Sequence, residues 1–182
     1  MNIPNFLTVL RIILTPVLVI FLMEGRFAFA LAIFVFSGIT DALDGFLARI
    51  LKQKTSIGSI LDPLADKALV AASFVTLSVL GILPGWLTVV VISRDLIILL
   101  GISVLFFLSI SVDIKPSIIS KATTVSQFLT ILVALLDRLR PVDHQSVFLS
   151  VTVWSTVILS TISGFHYIYK GIGLFNNSSS AE

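Results

Sequence analysis

Apolar residues run along this chain in long stretches, and polar residues gather in short groups between them. A helix needs roughly 20 consecutive apolar residues to cross the hydrocarbon core of a bilayer. Windows of that length fall at residues 4–23, 28–48, 63–82, 86–108, 117–136 and 147–169. The pattern predicts an all-α integral membrane protein with six transmembrane helices. The breaks are Glu24-Gly25-Arg26, Gln53-Lys54-Thr55-Ser56, Gly81 with Pro84-Gly85, Asp113 to Pro116, and Asp137 to Gln145, each rich in residues that end helices or prefer water. Six spans fill a single transmembrane domain over residues 1–170, and residues 171–182 read as a polar tail. The first span has no charged leader and no small-residue cleavage site after it, so it reads as a retained helix rather than a signal peptide.

An even number of crossings places both termini on one side, and the loop cations choose the side. Arg49, Lys52, Lys54, Lys115, Lys121 and Lys170 fall on the side of the termini, against Arg26, Arg138 and Arg140 on the other. This predicts a multi-pass protein of the inner, cytoplasmic membrane with both ends in the cytoplasm.

Composition agrees: 57% of the 182 residues are hydrophobic and 12% charged, where a soluble domain carries about 25% charged residues. The net charge of +2 leaves no basic excess to neutralise a phosphate backbone, which excludes nucleic acid as a partner. With no cysteine, disulfides, iron–sulfur clusters and thiolate zinc sites are excluded. His144 and His166 are too far apart in sequence to suggest a metal-ligand pair.

The charges inside the spans carry the chemistry, because each costs roughly 2.5–3.5 kcal/mol on insertion scales and needs a partner or a wet cavity. They are concentrated. The second span ends Thr40-Asp41-Ala42-Leu43-Asp44-Gly45-Phe46-Leu47-Ala48-Arg49, and the third begins Asp62-Pro63-Leu64-Ala65-Asp66-Lys67. At about 100° per residue, Asp41, Asp44, Gly45 and Ala48 share one stripe of a helix, and Asp62 and Asp66 lie one turn apart on the next. The two stripes can face each other. Four carboxylates at one place cannot all stay ionised without cations. Two divalent ions would cancel their charge, and an all-oxygen donor set favours Mg²⁺, Mn²⁺ or Ca²⁺ over zinc. A two-cation oxygen site suggests phosphoryl or pyrophosphate chemistry. Gly45 and Ala48 leave room beside the acids for a ligand or, equally, for close helix packing. Asp62 before Pro63 also reads as a helix N-cap, with Pro63 at the first helical position.

From Asp41 to Asp66 the chain reads D-x-x-D-G-x-x-A-R, eight residues, then G-x-x-x-D-x-x-x-D. This run resembles, at every specified position, the signature of the CDP-alcohol phosphatidyltransferases. The opening Ile3-Pro4-Asn5-Phe6-Leu7-Thr8-Val9-Leu10-Arg11 and the segment Pro116-Ser117-Ile118-Ile119-Ser120-Lys121 look like those of the branch containing phosphatidylglycerophosphate synthases and CDP-type cardiolipin synthases. The resemblance implies that Asp41, Asp44 and Asp62 bind two divalent cations, Mg²⁺ or Mn²⁺, and that Asp66 shares the second and serves as general base. It implies that Gly45, Ala48 and Gly58 line the cytidine pocket and that Arg49 holds the pyrophosphate of CDP-diacylglycerol. It also implies a homodimer.

Arg11, Lys67, Arg94 beside Asp95, and Lys121 remain as cations for an acceptor pocket, with Arg94, Lys121 and Arg11 the chosen acceptor contacts. Cations that converge beyond the metals suit an acceptor carrying a phosphate, such as glycerol 3-phosphate. The structural alternatives are an intramembrane Arg94–Asp95 pair and an Arg11 that snorkels or pairs with an acid. Ile92-Ser93-Arg94-Asp95 departs from the Arg-Glu pattern of many glycerol 3-phosphate users and leans toward cardiolipin synthases, whose acceptor is phosphatidylglycerol. Glycerol 3-phosphate is the preferred expectation and phosphatidylglycerol the alternative. Trp86 reads as an interface anchor, Trp154 as packing, and His166, Tyr167 and Tyr169 with Lys170 as an interfacial belt. A cation channel or transporter is the competing class, but it predicts acids spread along a pathway, whereas these cluster at one face.

Overall fold

The computed structural model describes residues 3–51, 58–107, 117–139 and 147–179, and gives the helix backbone alone for 3–7, 42–51, 58–64, 66, 102, 104–107 and 172–179. Among the described residues there are six helices and no strand: α1 Ile3–Met23, α2 Phe27–Leu51, α3 Gly58–Val79, α4 Gly85–Phe107, α5 Ile118–Arg138 and α6 Val147–Ser179. Each predicted span has its helix. Two of them, Ile118–Arg138 and Val147–Gly171, are long and apolar enough to cross a membrane by themselves, and Thr8–Met23, Phe27–Asp41 and Lys67–Val79 are shorter apolar stretches.

The tight turns close as their glycines require. After α1, Gly25 takes φ +71°. Its N–H donates to the Leu22 carbonyl at 3.0 Å and that of Arg26 donates to Phe21 at 2.9 Å. After α3, Gly81 takes φ +69°, with Gly81 N–H on Ser78 and Ile82 N–H on Leu77. This paired bonding satisfies carbonyls that the helix end leaves without partners, and it needs a residue tolerant of the left-handed region. At the start of α5, the Ser117 hydroxyl accepts from the Ser120 N–H at 3.1 Å, an N-cap.

One boundary differs in a way that matters. α3 begins at Gly58 rather than near Pro63, so Asp62 and Pro63 lie inside the helix, and Asp62 is not its N-cap. The apolar run marks what lipid or core tolerates, whereas the helix runs on into the polar segment before it. At the other end, α6 continues to Ser179, ten residues past 169.

The chain forms two compact units, Met1–Gly85 with Ile131–Ser146, and Trp86–Thr130 with Val147–Glu182. In the first, α1 packs against both α2 and α3, burying Leu18, Leu22, Phe34, Phe74 and Leu77. In the second, α5 and α6 are joined by hydroxyls: Ser126 to Thr156 at 2.7 Å, Thr130 to Thr156 at 2.8 Å, Thr123 to the Leu159 carbonyl at 3.2 Å and Thr130 to the Thr152 carbonyl at 3.1 Å. As the α5 number rises its partner's falls, which fixes the two helices antiparallel.

Beside the apolar core, the described residues bury many polar side chains and expose many large apolar ones. Thr8, Arg11, Ser37, Ser73, Thr123, Gln127 and Ser163 are buried, while Ile13, Ile20, Phe29, Phe36, Val79, Leu100, Val151 and Phe165 face outward. Trp154 belongs with the outward set at 59% exposure, its ring 5.7 Å from that of Trp86. It is not the packing residue the sequence suggests.

Candidate active site

The acid motif straddles the end of α2 and the start of α3. Asp41 and Asp44 lie three residues apart in the last turns of α2, and Asp62 and Asp66 one turn apart in the first turns of α3. Both helix ends belong to the first unit, where α1 packs against α2 and α3. The backbone thus carries all four acids on two neighbours of α1. The side chains of Asp44, Gly45, Ala48, Arg49, Gly58, Asp62 and Asp66 lie outside the described part of the structure.

Asp41 is described, and it is held from α1. Nη1 of Arg11 donates to Oδ1 of Asp41 at 2.9 Å, with the arginine side chain 1% exposed and the aspartate 45%. A guanidinium is not deprotonated in a protein, so Arg11 brings a permanent positive charge to this helix end. Local bonds brace both partners. Thr15, one turn on, donates its hydroxyl to the Arg11 carbonyl at 2.9 Å, and Thr40, next to Asp41, donates to the Ser37 carbonyl at 2.9 Å. Of the roles the sequence left to Arg11, acceptor contact, snorkelling or pairing with an acid, the structure shows the pairing with an acid. Lys67, on α3 just past Asp66, is half-buried.

The donor chemistry of this region suits hard divalent cations: four carboxylates on two helix ends of a chain without cysteine, and one of those carboxylates, Asp41, nearly half open. Among the described side chains alone no group of three or more acidic, histidine or cysteine residues comes together, Asp41 being the one motif acid in that set.

Arg94 and Lys121 belong to the second unit. Arg94 is 4% exposed and its guanidinium is heavily engaged. Nη1 donates to Asp95 Oδ1 at 2.7 Å, Nη2 to Ser120 at 2.6 Å and to Ser163 at 2.7 Å, and Nε to Ser163 at 3.2 Å. One side chain of α4 thereby ties the first turn of α5 to α6. Gly164 lies beside this side chain, where a methyl group would sit 3.8 Å from Cγ of Arg94 in ordinary van der Waals contact. Lys121, one residue after Ser120, is exposed. Of the aromatic belt, His166 and Tyr169 are exposed, with the His166 and Tyr167 rings edge to face at 6.2 Å.

Sequence reasoning missed the α5–α6 hydroxyl ladder and the serines that receive Arg94. The signal was present in Thr123, Ser126 and Thr130, and in Thr152, Thr156 and Ser163, spaced by three, four or seven and so stacked on one helix face.

Comparison with known proteins covers nearly the whole chain. The profile of the CDP-alcohol phosphatidyltransferase family matches residues 1–162. A rat protein named cardiolipin synthase (CMP-forming) is 32% identical over 188 aligned positions, covering 93% of this chain and 61% of its own. The chain therefore spans about three fifths of that relative. A Mycobacterium tuberculosis protein named probable phosphatidylglycerophosphate synthase is 33% identical, covering 94% of this chain and 82% of its own. An Aquifex aeolicus protein named CDP-diacylglycerol–glycerol-3-phosphate 3-phosphatidyltransferase is 32% identical, covering 94% and 96%. With the acid motif complete inside the matched region and carried on the ends of two consecutive helices, the chain belongs to the CDP-alcohol phosphatidyltransferase family.

Proposed function

We propose that this protein transfers the phosphatidyl group of CDP-diacylglycerol to an alcohol and releases CMP, with glycerol 3-phosphate as the acceptor. The observation that carries this reading is the unbroken D-x-x-D-G-x-x-A-R…G-x-x-x-D-x-x-x-D run on the ends of α2 and α3, inside the family match. Asp41, Asp44, Asp62 and Asp66 hold two divalent cations, Mg²⁺ or Mn²⁺. When bound, these polarise the pyrophosphate and stabilise the departing CMP. Gly45, Ala48 and Gly58 admit the cytidine moiety and Arg49 holds the pyrophosphate. Asp66 takes the proton of the acceptor hydroxyl as its oxygen bonds to the lipid-side phosphorus and the bond from that phosphorus to the CMP oxygen breaks.

Lys121, an exposed cation at the start of α5, is the proposed acceptor-phosphate contact. Arg94 and Arg11 already have partners, and their geometry supports structural and site-organising roles more than direct grip on a soluble acceptor. The outward apolar faces support six membrane crossings, and the loop cations support cytoplasmic termini in the inner membrane. A homodimer remains part of the proposal from family resemblance.

Phosphatidylglycerol is the second reading of the acceptor, favoured by the cardiolipin synthase relatives and by Ser93-Arg94-Asp95. CMP release and lipid mass spectrometry on the purified chain, with CDP-diacylglycerol, Mg²⁺ or Mn²⁺, and each acceptor in turn, decide between them. Phosphatidylglycerophosphate is the expected product. Cardiolipin would transfer the assignment to the lipid acceptor, and no CMP with either would overturn both.

A further inference from the structure

The Arg11–Asp41 pair joins a side chain that cannot leave to one that remains open. Arg11 is 1% exposed in the wall where α1 meets α2 and α3, whereas 45% of Asp41 is accessible. Moving the guanidinium from this wall to water would require α1 to separate from its neighbours. Its charge therefore stays at the acid cluster whether or not a cation is bound. A divalent ion that reaches Asp41 meets a carboxylate already donated to by a cation, and two positive charges at one carboxylate repel.

We infer that Arg11 is the resident counter-ion of the acid cluster: it neutralises Asp41 in the cation-free protein and competes with the divalent ion for that carboxylate. The inference rests on the cation-site reading above and adds a sign to it. A residue that merely oriented a ligand would, on removal, weaken metal binding, commonly by about 10- to 100-fold. A counter-ion does the opposite. Its removal leaves the acids more negative, so the dication binds more tightly while the cation-free fold loses stability from an uncompensated acid. The chain thus lowers its own metal affinity in exchange for a site that holds together when empty of metal. An acceptor clamp predicts neither effect.

The test is Mn²⁺ binding to the full-length protein in detergent, followed by electron paramagnetic resonance, with thermal unfolding recorded with and without Mn²⁺. In R11Q the Mn²⁺ dissociation constant should fall by about tenfold or more. Its cation-free melting temperature should drop, and the Mn²⁺-induced rise should exceed that of the unsubstituted protein. R11K keeps the charge and should stay within about threefold of the parent in Mn²⁺ affinity. Adding D41N to R11Q should restore much of the lost cation-free stability, because the unpaired acid is gone. If R11Q unfolds without cations, recovery by Mn²⁺ or by D41N is the same expected result. Mn²⁺ affinity unchanged or weakened in a folded R11Q overturns the counter-ion role. A raised KM for glycerol 3-phosphate with no change in Mn²⁺ binding overturns it in favour of an acceptor contact. Absence of saturable Mn²⁺ binding to the unsubstituted chain overturns the cation-site reading itself, a result separable from the others because no variant is needed to see it.

Discussion

At the scale of single residues, two buried arginines illustrate how burial decides what a charge can do. Arg94 makes four hydrogen bonds within its unit, and Ser163 receives two of them. Ser163→Ala deletes one acceptor and leaves buried N–H groups without it, a loss of about 1–3 kcal/mol. Thermal unfolding in detergent should show that loss with the KM for the acceptor unmoved. Lys121→Ala is the converse: an exposed side chain whose removal should leave the melting temperature unchanged and raise the glycerol 3-phosphate KM about tenfold or more, read from CMP release at varied acceptor. At the motif acids, Asp66→Asn should abolish turnover while Mn²⁺ binding and folding persist, because it keeps the shape and one oxygen donor but removes the base. Asp41→Asn should instead raise the Mg²⁺ concentration needed for half-maximal rate, since it removes a charged ligand. Normal turnover in purified D66N would remove Asp66 from the base role.

At the scale of helices, apolar side chains gain little by leaving lipid for one another, so close packing and polar contacts decide which helices associate. Thr156 shows this for α5 and α6, its hydroxyl lying 2.7 Å from Ser126 and 2.8 Å from Thr130. Thr156→Val keeps the volume and removes both bonds. It should cost about 0.6–2 kcal/mol, measured as a lower midpoint of unfolding in a denaturing detergent titration. Helix number and turns were legible in the sequence because hydropathy and glycine–proline breaks report lipid burial and backbone freedom directly. Glu24-Gly25-Arg26 and Gly81 fall where expected. The start of α3 was not legible, because Gly58 to Asp62 is helical by backbone bonding without being apolar. The partner of Arg11 was open for a different reason: composition offers several acids to a buried arginine, and only the approach of α1 to α2 selects Asp41. The four acids themselves needed no structure, since their spacing is local to two helix ends.

At the scale of the whole molecule, the burial pattern constrains how the chain meets its solvent. Arg11, Gln127, Ser163 and Arg94 are inside with the apolar core, while Ile13, Phe29, Phe165 and Val151 are among the large apolar side chains outside. In water such a surface would associate, whereas in a bilayer it is the surface that costs least. Six crossings, one for each helix, are the proposal, and by sequence position they would assign the loop cations Lys52, Lys54, Lys115 and Lys170 to the side of the termini. The chain contains no cysteine, so single cysteines report sidedness with no background to remove. Cysteine replacing Glu24 or Leu139, each exposed beside a helix end, should react with an impermeant maleimide from outside right-side-out vesicles. Cysteine replacing Gln53 or Lys170 should react only after the membrane is opened. Labelling of all four from outside would refute the alternating path. Reversal of the two pairs would keep six crossings but move the acid cluster, which shares its side with residue 53, away from the cytoplasm, where a soluble phosphate acceptor and released CMP are expected.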